Sequence, residues 1–572
     1  MSEFDEAEVL LLARKYALFN ALKYAKPPVA GPVMGRLMGS HPELRSDPKK
    51  VAKLVANVLD EVSKTDYVGW ESELATIAPD LLEELGEKRE PEKGLPALEG
   101  AGSVTMRFAP NPNGPPTLGS ARGIIVNSEY ARQYHGRFIL RFDDTDPKTK
   151  PPLLDAYTWY LEDCRWLGAE PDEVILASDR IQIYYDHALE LIEKGGGYVC
   201  FCSQREFKEY KDRGKPCPHR EQSIGDTLNH WKEMLGGAFE AGSAVLRVKT
   251  DMGHSDPAIR DWVAFRVLDT PHPRPEIGDR YRVWPLLDFE SAVEDHLLGI
   301  THIIRGKDLI DSEHRQQYIY RYFNWEYPLT LHWGRVKIHE FGKMSTSEIG
   351  AAIKTGRYTG WDDPRLPTIR SLRRRGIQSQ ALRKLFTELG VNETDIGLSM
   401  ENIYGENRKM IDENARRYFF TPEPVRVIIK DAPPTVAKPL LHPPDPRRGH
   451  RKIPVKNEVL ISREDAKKLK NNELIRLKDL YNIKITKINK TIEAEYEKGE
   501  INIIREKNGR IIHWAPPDGI KVEVLTPKGK ESGIGEHEIV ESIEQVVQFE
   551  RYGFVRIDSI KNGIITAYLA HK

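Results

Sequence analysis

Two short segments, far apart in the chain, carry residues suited to binding phosphate. Residues 107–122 read RFAPNPNGPPTLGSAR, and residues 342–347 read GKMSTS. The first predicts a strand, a turn rich in Pro, Asn and Gly, and then a helix that begins near Gly119. A glycine there lets the backbone approach a ligand closely, and a helix N-terminus attracts an anion. The second segment offers Lys343 followed by hydroxyl side chains, which suit phosphate oxygens.

A second group of residues could bind a metal ion. Cys200-x-Cys202 and Cys217-x-His219 are two pairs separated by fourteen residues. Two such pairs that close a short excursion of the chain suit tetrahedral Zn²⁺ with three sulfur ligands and one nitrogen. Reduced, buried cysteines beside a phosphate-contacting histidine are the alternative. Cys164 falls in a predicted amphipathic helix and is expected in the core.

The elements that position the first group alternate between strand and helix from about residue 103 to 345. Strands are predicted at 104–108, 137–142, 173–177 and 302–305, and helices at 149–167 and 180–194. This alternation predicts an α/β layer of parallel strands, whose ligands bind at the carboxyl ends of the strands. Both phosphate-suited segments lie where that rule places a nucleotide.

The flanking regions have a different character, so we expect several domains. Residues 1–95 predict a helical appendage with a linker. Residues 96–345 predict the α/β domain, with an insertion near 200–300, and residues 346–422 a helical, basic connector. Residues 423–572 contain short apolar runs separated by Pro, Gly and Asn, which predict β-barrels. These runs are 425–430, 458–461, 483–488, 509–514, 521–525 and 546–557.

Composition indicates a cytoplasmic protein with no membrane association. The 572 residues include 85 Lys and Arg against 86 Asp and Glu, and they lack an apolar run long enough for a membrane span. The acidic N-terminus does not read as a signal peptide, and four cysteines fit a reducing compartment. A net charge of −1 does not indicate a polyanion partner, so nucleic-acid binding must rest on local basic clusters.

Together the two phosphate-suited segments resemble the HIGH and KMSKS signatures of class I aminoacyl-tRNA synthetases. With RFDDTDP at 141–147, the wording looks like glutamyl-tRNA synthetase of archaeal type, over residues from about 100 to 572. The resemblance implies a Rossmann-like class I catalytic domain with helical segments and C-terminal all-β barrels. It also implies ATP with Mg²⁺, L-glutamate and tRNA(Glu), with glutamyl-adenylate as intermediate and a monomeric enzyme. Charging of tRNA(Gln) as well is left open.

The resemblance places ATP between the two segments. The implied catalytic residues are Thr117, Gly119, Ser120, Lys343 and Ser345. The implied ATP-binding residues are Pro110, Gly119, Ser120, Arg122, Lys343, Met344, Ser345 and Thr346. Thr117 and Ser120 stand where HIGH has its two histidines, and Thr346 replaces the second Lys of KMSKS. Hydroxyls still donate a hydrogen bond but carry no charge, so either the active site is a variant or activation is lost.

The resemblance also implies a glutamate pocket. Arg107 and Arg305, the second in Ile-Ile-Arg-Gly, match arginines that contact the amino acid, and Asp143 matches an acid suited to the substrate ammonium. Ala109 and Asn111 complete the implied set. Guanidinium groups match carboxylates bidentately, so a cation at Arg305 favours glutamate over glutamine. Mutual ion pairing at the strand ends is the alternative.

For tRNA, the sequence indicates two basic regions. Arg205 belongs to a locally basic stretch of the predicted insertion, whereas residues 361–376, WDDPRLPTIRSLRRRG, resemble a family segment that follows the KMSKS loop. The implied tRNA contacts of that segment are Arg370, Arg373, Arg374 and Arg375. Two alternatives to glutamate ligation remain: a glutaminyl-tRNA synthetase, and a tRNA-binding paralogue without catalysis.

Overall fold

The computed structural model describes residues 5–24, 26–41, 43–44, 47–86, 94–100, 102–342, 345–506 and 509–572. The chain forms two compact units, Met1–Lys93 and Gly94–Lys572. Within the described residues, we find no helix that combines the length and the apolar character needed to span a bilayer.

The first unit is a helical bundle around its own apolar core. Its described helices are α1 (Glu6–Tyr24), α2 (Ala30–Ser40), α3 (Pro48–Val62), α4 (Tyr67–Ile77) and α5 (Pro79–Gly86). Apolar residues at helical spacing bury one face of α3, and Asp47 caps that helix by accepting a hydrogen bond from the Lys50 amide at 3.0 Å.

The second unit begins with the predicted parallel layer. Its first strands, in the order β1-β2-β3, and their helices are β1 (Thr105–Phe108), α6 (Leu118–Gln133), β2 (Arg137–Phe142), α7 (Leu154–Trp166), β3 (Glu173–Leu176) and α8 (Ile181–Glu193). Helix α7 begins five residues later than predicted, because Pro151 and Pro152 disfavour helical backbone before them. The fold class inferred from the sequence is confirmed.

An antiparallel insertion interrupts the layer. It contains β4 (Gly197–Cys200), α9 (Gln204–Asp212), α10 (Ile224–Leu235), β5 (Val245–Val248), β6 (Val263–Val267) and β7 (Val283–Pro285), with sheet order β4-β5-β6-β7. The chain then returns to the parallel layer through α11 (Leu287–Leu297), β8 (His302–Gly306), α12 (Ile310–Phe323) and β9 (Leu329–Trp333). The amide of Thr301 donates to Thr105 O at 3.1 Å, which places β8 beside β1.

A helical segment follows. It contains β10 (Val336–Ile338), α13 (Thr346–Lys354), α14 (Ile369–Arg375), α15 (Ser379–Leu389), β11 (Ile396–Leu398) and α16 (Met400–Ile411). Strands β10 and β11 pair in parallel, which joins the beginning of this segment to its later part.

The C-terminal region consists of barrel-like sheets. Its elements are β12 (Arg417–Tyr418), β13 (Phe420–Pro422), β14 (Pro424–Lys430), β15 (Thr435–Ala437), β16 (Ile453–Val455), β17 (Glu458–Ser462), α17 (Arg463–Lys467), β18 (Leu474–Leu477), β19 (Asn482–Ile488), β20 (Ile492–Glu497), α18 (Ile501–Glu506), β21 (Ile511–Ile512), β22 (Ile520–Thr526), β23 (Gly529–Gly535), β24 (Val546–Phe549), β25 (Gly553–Lys561) and β26 (Ile564–His571). The seven-stranded sheet, β12-β24-β25-β26-β22-β23-β13, contains the first two and the last five strands of this region, and the six-stranded sheet, β17-β14-β20-β19-β18-β21, is formed by strands between them in sequence.

One apolar run in this region divides into two strands. The apolar run 546–557 forms two antiparallel strands, β24 and β25, joined by a tight turn in which Arg551 has a φ of 63°. Non-glycine residues rarely adopt that conformation, so residue type gave no turn signal there.

Arg375 ties the helical segment to the last strand, β26. The side chain is 1% exposed, and it donates to the carbonyl oxygens of Leu569 and Ala570 at 2.9 and 2.7 Å. It also donates to the Tyr404 hydroxyl at 2.6 Å. A guanidinium enclosed in this way cannot reach a phosphate, so the predicted tRNA contact of Arg375 is withdrawn.

We expect Arg375→Met to weaken the packing of β26 against α14. The loss of three hydrogen bonds from a buried cation should cost about 3 kcal/mol. Hydrogen exchange of the β26 amides should accelerate, and the thermal unfolding midpoint should fall. Arg373→Met, at an exposed position on the same helix, is the control. Equal exchange rates in the two variants would contradict the assignment.

Candidate active site

The two phosphate-suited segments converge. A Cβ placed on Gly114 would collide with the Thr346 methyl group and would lie 2.9 Å from the Trp361 ring. The backbone after Gly114 is also hydrogen-bonded to the chain at the start of α14. Leu118 N donates to Pro367 O at 3.0 Å, and Ile369 N donates to Pro116 O at 2.9 Å. The turn of the first segment therefore lies directly against the beginning of α13, the helix that starts within the second segment.

The hydroxyl side chains of these segments stand at helix N-termini. Thr117 precedes α6, its Oγ1 is 3.5 Å from Ser120 Oγ, and Gly119 between them is exposed. The first-turn amides of a helix lack partners within the helix, so this end of α6 is suited to an anion. Ser345 caps α13, and its Oγ accepts from the Glu348 amide at 3.2 Å. Its hydroxyl thus has a structural partner in addition to any ligand.

Lys343 and Met344 lie outside the described residues, while Gly342 before them has a φ of 59°. Arg122, predicted to contact ATP, is 3% exposed and donates to the carbonyl oxygens of Gly334 and Gly390, both at 3.0 Å. Its guanidinium carbon lies 4.3 Å from the Trp333 ring centre. Burial lowers the pKa of Arg122 to about 10. These contacts give Arg122 a role in holding α6 against two loops.

Beside the cleft between the two converging segments lies a cavity of about 250 Å³, which we call the amino-acid cavity because residues of the predicted glutamate pocket line it. It is lined by β1, α6, β2, α11, β8 and α12, and its lining includes the predicted residues Arg107, Ala109, Asp143 and Arg305. Asn111 and Pro110 lie at its edge and brace it: Asn111 Nδ2 donates to Asp143 O, and the Asp143 amide donates to Pro110 O, both at 3.0 Å.

A buried ion network forms one wall of the amino-acid cavity. Arg107 donates to both carboxylate oxygens of Asp295, at 3.0 and 3.2 Å. Arg141 donates to Asp295 Oδ1 and to Asp143 Oδ1, both at 2.7 Å. The alternative considered from the sequence, ion pairing at the strand ends, is thus present, but Arg107 pairs with Asp295 and Asp143 pairs with Arg141. Burial by itself would raise the pKa of Asp295, but Arg107 and Arg141 outweigh it and hold it at about 2.

Arg305, on the neighbouring strand β8, has no carboxylate partner among the described residues. Its Nη2 donates to Gln316 Oε1 at 3.0 Å and to the Tyr327 hydroxyl at 3.1 Å, and both acceptors are neutral. Its Nε is buried and has no partner within the described part of the chain. An uncompensated, 6% exposed guanidinium requires an anion.

Several residues of the site were missed from the sequence. Arg141 was quoted in a motif without a role, and Asp295, Gln316 and Glu290 come from helices that carry no local signature. Only their approach to β1, β2 and β8 identifies them. Burial raises the pKa of Glu290 well above its ordinary value, and the neighbouring Asp143 raises it further. Thr145 Oγ1 donates to Glu290 Oε2 at 2.9 Å.

The cysteine–histidine group predicted from spacing is assembled. The ligand atoms of Cys200, Cys202, Cys217 and His219 all lie within 4.8 Å of one another. The Sγ atoms of Cys200 and Cys217 are 3.9 Å apart, and Cys202 Sγ is 3.4 Å from His219 Nδ1. Tetrahedral zinc with bonds of about 2.3 Å to sulfur places two sulfurs about 3.8 Å apart, so the residues fit the ion.

A second cavity, of about 850 Å³, runs through the insertion from Cys202 to Asp288. We call it the basic groove, because seven cations line it: Lys148, Lys208, Lys211, Arg247, Arg260, Arg266 and Arg315. Burial lowers the pKa of Lys211, and the positive charges of Arg315 and Arg247 lower it further. The groove therefore concentrates positive charge.

The other predicted tRNA contacts lie at the surface. Arg205, on α9, has a side chain that is 92% exposed. Arg370, Arg373 and Arg374 line a cavity of about 720 Å³ between α7, α14 and β25. Arg370 pairs with Glu162 at 2.7 Å, and Arg374 pairs with Asp362 at 2.6 Å. The positive charge of this cavity is thus partly compensated.

We expect Glu290→Gln to remove a pH dependence of folding stability. The raised pKa keeps Glu290 protonated in the folded state, while the unfolded side chain ionises above its ordinary value of 4.5. The free energy of unfolding of the wild type should therefore fall as the pH rises from 4.5 toward the raised pKa of folded Glu290, by up to about 1.4 kcal/mol per pH unit.

Relative to the wild type, Glu290→Gln should gain free energy of unfolding in chemical denaturation as the pH rises above 4.5. Glu233→Gln, at an exposed position on α10, should show no such change and serves as the control. A difference between Glu290→Gln and wild type that is constant with pH would contradict the protonated carboxyl.

Comparisons with known proteins agree with this geometry. Residues 103–413 match the family described as tRNA synthetases class I (E and Q), catalytic domain. Residues 415–503 and 511–558 match two families described as tRNA synthetases class I (E and Q), anti-codon binding domain.

Full-length relatives extend the match. A glutamate–tRNA ligase of Methanosarcina barkeri is 56% identical over 567 residues, 99% of each chain. One of Pyrococcus abyssi is 44% identical over 99% of this chain and 100% of its own. A solved glutamate-tRNA synthetase of Elizabethkingia anophelis aligns with a TM-score of 0.37 and 19% identity, over 54% of this chain and 71% of that one. On the sequence matches, this chain belongs to the E and Q family of class I tRNA synthetases.

Proposed function

We propose that this protein ligates L-glutamate to tRNA(Glu) through a glutamyl-adenylate, with ATP and Mg²⁺ as co-substrates. The observation that carries the proposal is Arg305, a buried cation without an acidic partner among the described residues, facing the amino-acid cavity. The full-length relatives named glutamate–tRNA ligase support the same substrate.

The charge of the amino-acid cavity favours glutamate over glutamine. Arg107 and Arg141 are compensated by Asp143 and Asp295, whereas Arg305 faces neutral partners. A side-chain carboxylate would supply the missing negative charge, but an amide would leave the guanidinium buried without a counter-ion. The glutaminyl alternative is therefore disfavoured.

Activation requires positioned cations and donors around the phosphates, because negative charge accumulates there in the transition state. We assign this role to Lys343 together with the hydroxyls of Thr117 and Ser120 and the exposed N-terminus of α6. The convergence of Gly114 with Thr346 supports the assignment. A paralogue that had lost catalysis would not be expected to retain a formed amino-acid cavity beside that cleft.

For tRNA, we assign the acceptor end to the basic groove, which is continuous with the residues around the amino-acid cavity. Arg205, Arg370, Arg373 and Arg374 are proposed backbone contacts, because exposed cations attract phosphates. Charging of tRNA(Gln), a monomeric state and a cytoplasmic location are further proposals. The first rests on the resemblance to archaeal-type members.

Arg305→Gln should lower kcat/KM for glutamate by about 100-fold or more, since it removes a charged, buried contact to the substrate carboxylate. Steady-state aminoacylation with purified tRNA(Glu), ATP and either amino acid measures this effect. The wild type should charge glutamate and should show negligible charging with glutamine.

Arg321→Gln, the same substitution at an exposed position on α12, should leave kcat/KM unchanged. Comparable charging of glutamine and glutamate by the wild type would overturn the proposed substrate. An unimpaired Arg305→Gln variant would overturn the role of this residue.

We also propose that Cys200, Cys202, Cys217 and His219 bind structural Zn²⁺. All four ligand positions would come from the protein, which is typical of structural sites, and the ion would fix the end of the basic groove formed by Cys202. No step of catalysis is assigned to it.

Purified protein should contain about one zinc ion per chain, measured by atomic absorption, because four-ligand sites bind tightly. Cys217→Ser should lose the ion and unfold at a lower temperature. Cys164→Ala, which changes a cysteine in the core of α7, should retain it. Equal zinc content in the two variants would refute the site.

A further inference from the structure

The amino-acid cavity and the basic groove meet at one side chain. Of the described residues that line the two cavities, Asp288 alone belongs to both. It is the second residue of α11, directly after β7, and the Leu286 amide donates to Ala264 O at 2.8 Å, which fixes this turn to β6. Any reaction that joins the contents of the cavity to those of the groove takes place beside Asp288.

The Asp288 carboxylate is held in one orientation and is half-satisfied. Its Oδ2 accepts from Arg315 Nη1 at 2.7 Å, and Arg315 Nε in turn donates to Ala258 O at 2.9 Å. Asp288 is 8% exposed, and its Oδ1 has no hydrogen-bond partner within the described residues. A buried acceptor without a donor costs about 1–3 kcal/mol, so this oxygen is suited to a ligand that brings one.

The chemistry of the groove narrows the choice of ligand. Its cations can bind phosphates, but Lys and Arg accept no hydrogen bond, so they cannot orient a hydroxyl through its proton. Among the described residues that line the groove, the carboxylates are Asp212, exposed at the far end of α9, and Asp288 at the junction. A phosphate would be repelled by Asp288, whereas a ribose offers neutral hydroxyl donors.

We propose that Asp288 Oδ1 binds a terminal ribose hydroxyl of the tRNA and so positions the tRNA end at the mouth of the amino-acid cavity. This inference rests on the proposed function, because the basic groove must hold the tRNA acceptor end. Arg315 fixes the carboxylate, and Asp288 connects nucleic-acid binding to the site of acyl transfer.

The test combines a change in the protein with a change in the ligand. Equilibrium binding is measured, with glutamate present and ATP omitted, for tRNA with an intact 3′ end and for tRNA with a 2′,3′-dideoxy end. For the wild type, removal of the hydroxyls should weaken binding about 10-fold. For Asp288→Ala it should weaken binding less than about 2-fold, because the partner is already absent.

Single-turnover transfer to intact tRNA should also fall about 10- to 100-fold in Asp288→Ala. Asp288→Asn should show the same loss as Asp288→Ala. The amide has one side-chain oxygen, and Arg315 would occupy it, so no acceptor is left for the ribose hydroxyl. Asp279→Asn removes an exposed carboxylate that is not in the lining of either cavity, and it should match the wild type in both measurements.

The proposal would be overturned if Asp288→Ala and removal of the ribose hydroxyls weakened tRNA binding independently. It would also be overturned if the wild type bound the two forms of tRNA equally well. An increase in KM for glutamate without any coupling to the ribose would instead assign Asp288 to the substrate ammonium, which also overturns it. Failure of the wild type to charge tRNA(Glu) with glutamate would refute the proposed function. That failure would be seen in the steady-state aminoacylation assay, separately from the binding measurements.

Discussion

Two buried aspartates hold two buried arginines at the carboxyl ends of β1 and β2, and the remainder of the site depends on this network. Asp295 binds both Arg107 and Arg141, and Asp143 completes the set. Charges at this depth persist because each has a partner, since an isolated one would carry a large desolvation penalty. The network fixes part of the lining of the amino-acid cavity, and Arg305 on the neighbouring strand β8 remains the uncompensated cation.

The phosphate-suited segments are brought together by backbone rather than by charge. Residues 116–118 pair with residues 367–369, and Gly114 allows Thr346 and Trp361 to approach where any Cβ would intrude. The N-termini of α6 and α13 are therefore set at a fixed separation before a ligand arrives. Preorganised donors of this kind stabilise developing charge at little reorganisation cost.

The insertion and the C-terminal sheets are joined to this centre by polar contacts. Arg266 pairs with Asp146 at 2.6 Å, which connects β6 to the end of β2. Arg375 binds carbonyl oxygens of β26, and so links the seven-stranded sheet to α14. Through these contacts the basic groove, the amino-acid cavity and the C-terminal region share one framework.

The sequence by itself determined the fold class, the parallel strands, both phosphate-suited segments and the cysteine–histidine spacing. These features depend on local patterns: hydrophobic period, turn residues and short motifs. It could not separate the two strands within 546–557, because Arg551 adopts a backbone conformation that its residue type does not announce.

Only the tertiary structure decided which charged residues are bound to other groups of the protein and which lack an acidic partner among the described residues. Arg122 and Arg375 lie in basic or motif contexts yet bind backbone carbonyls in the core, whereas Arg305 keeps its charge uncompensated. Asp288 has its role because two cavities, each lined by residues that are distant in sequence, meet on α11. Partners and burial are properties of long-range packing, and no local pattern encodes them.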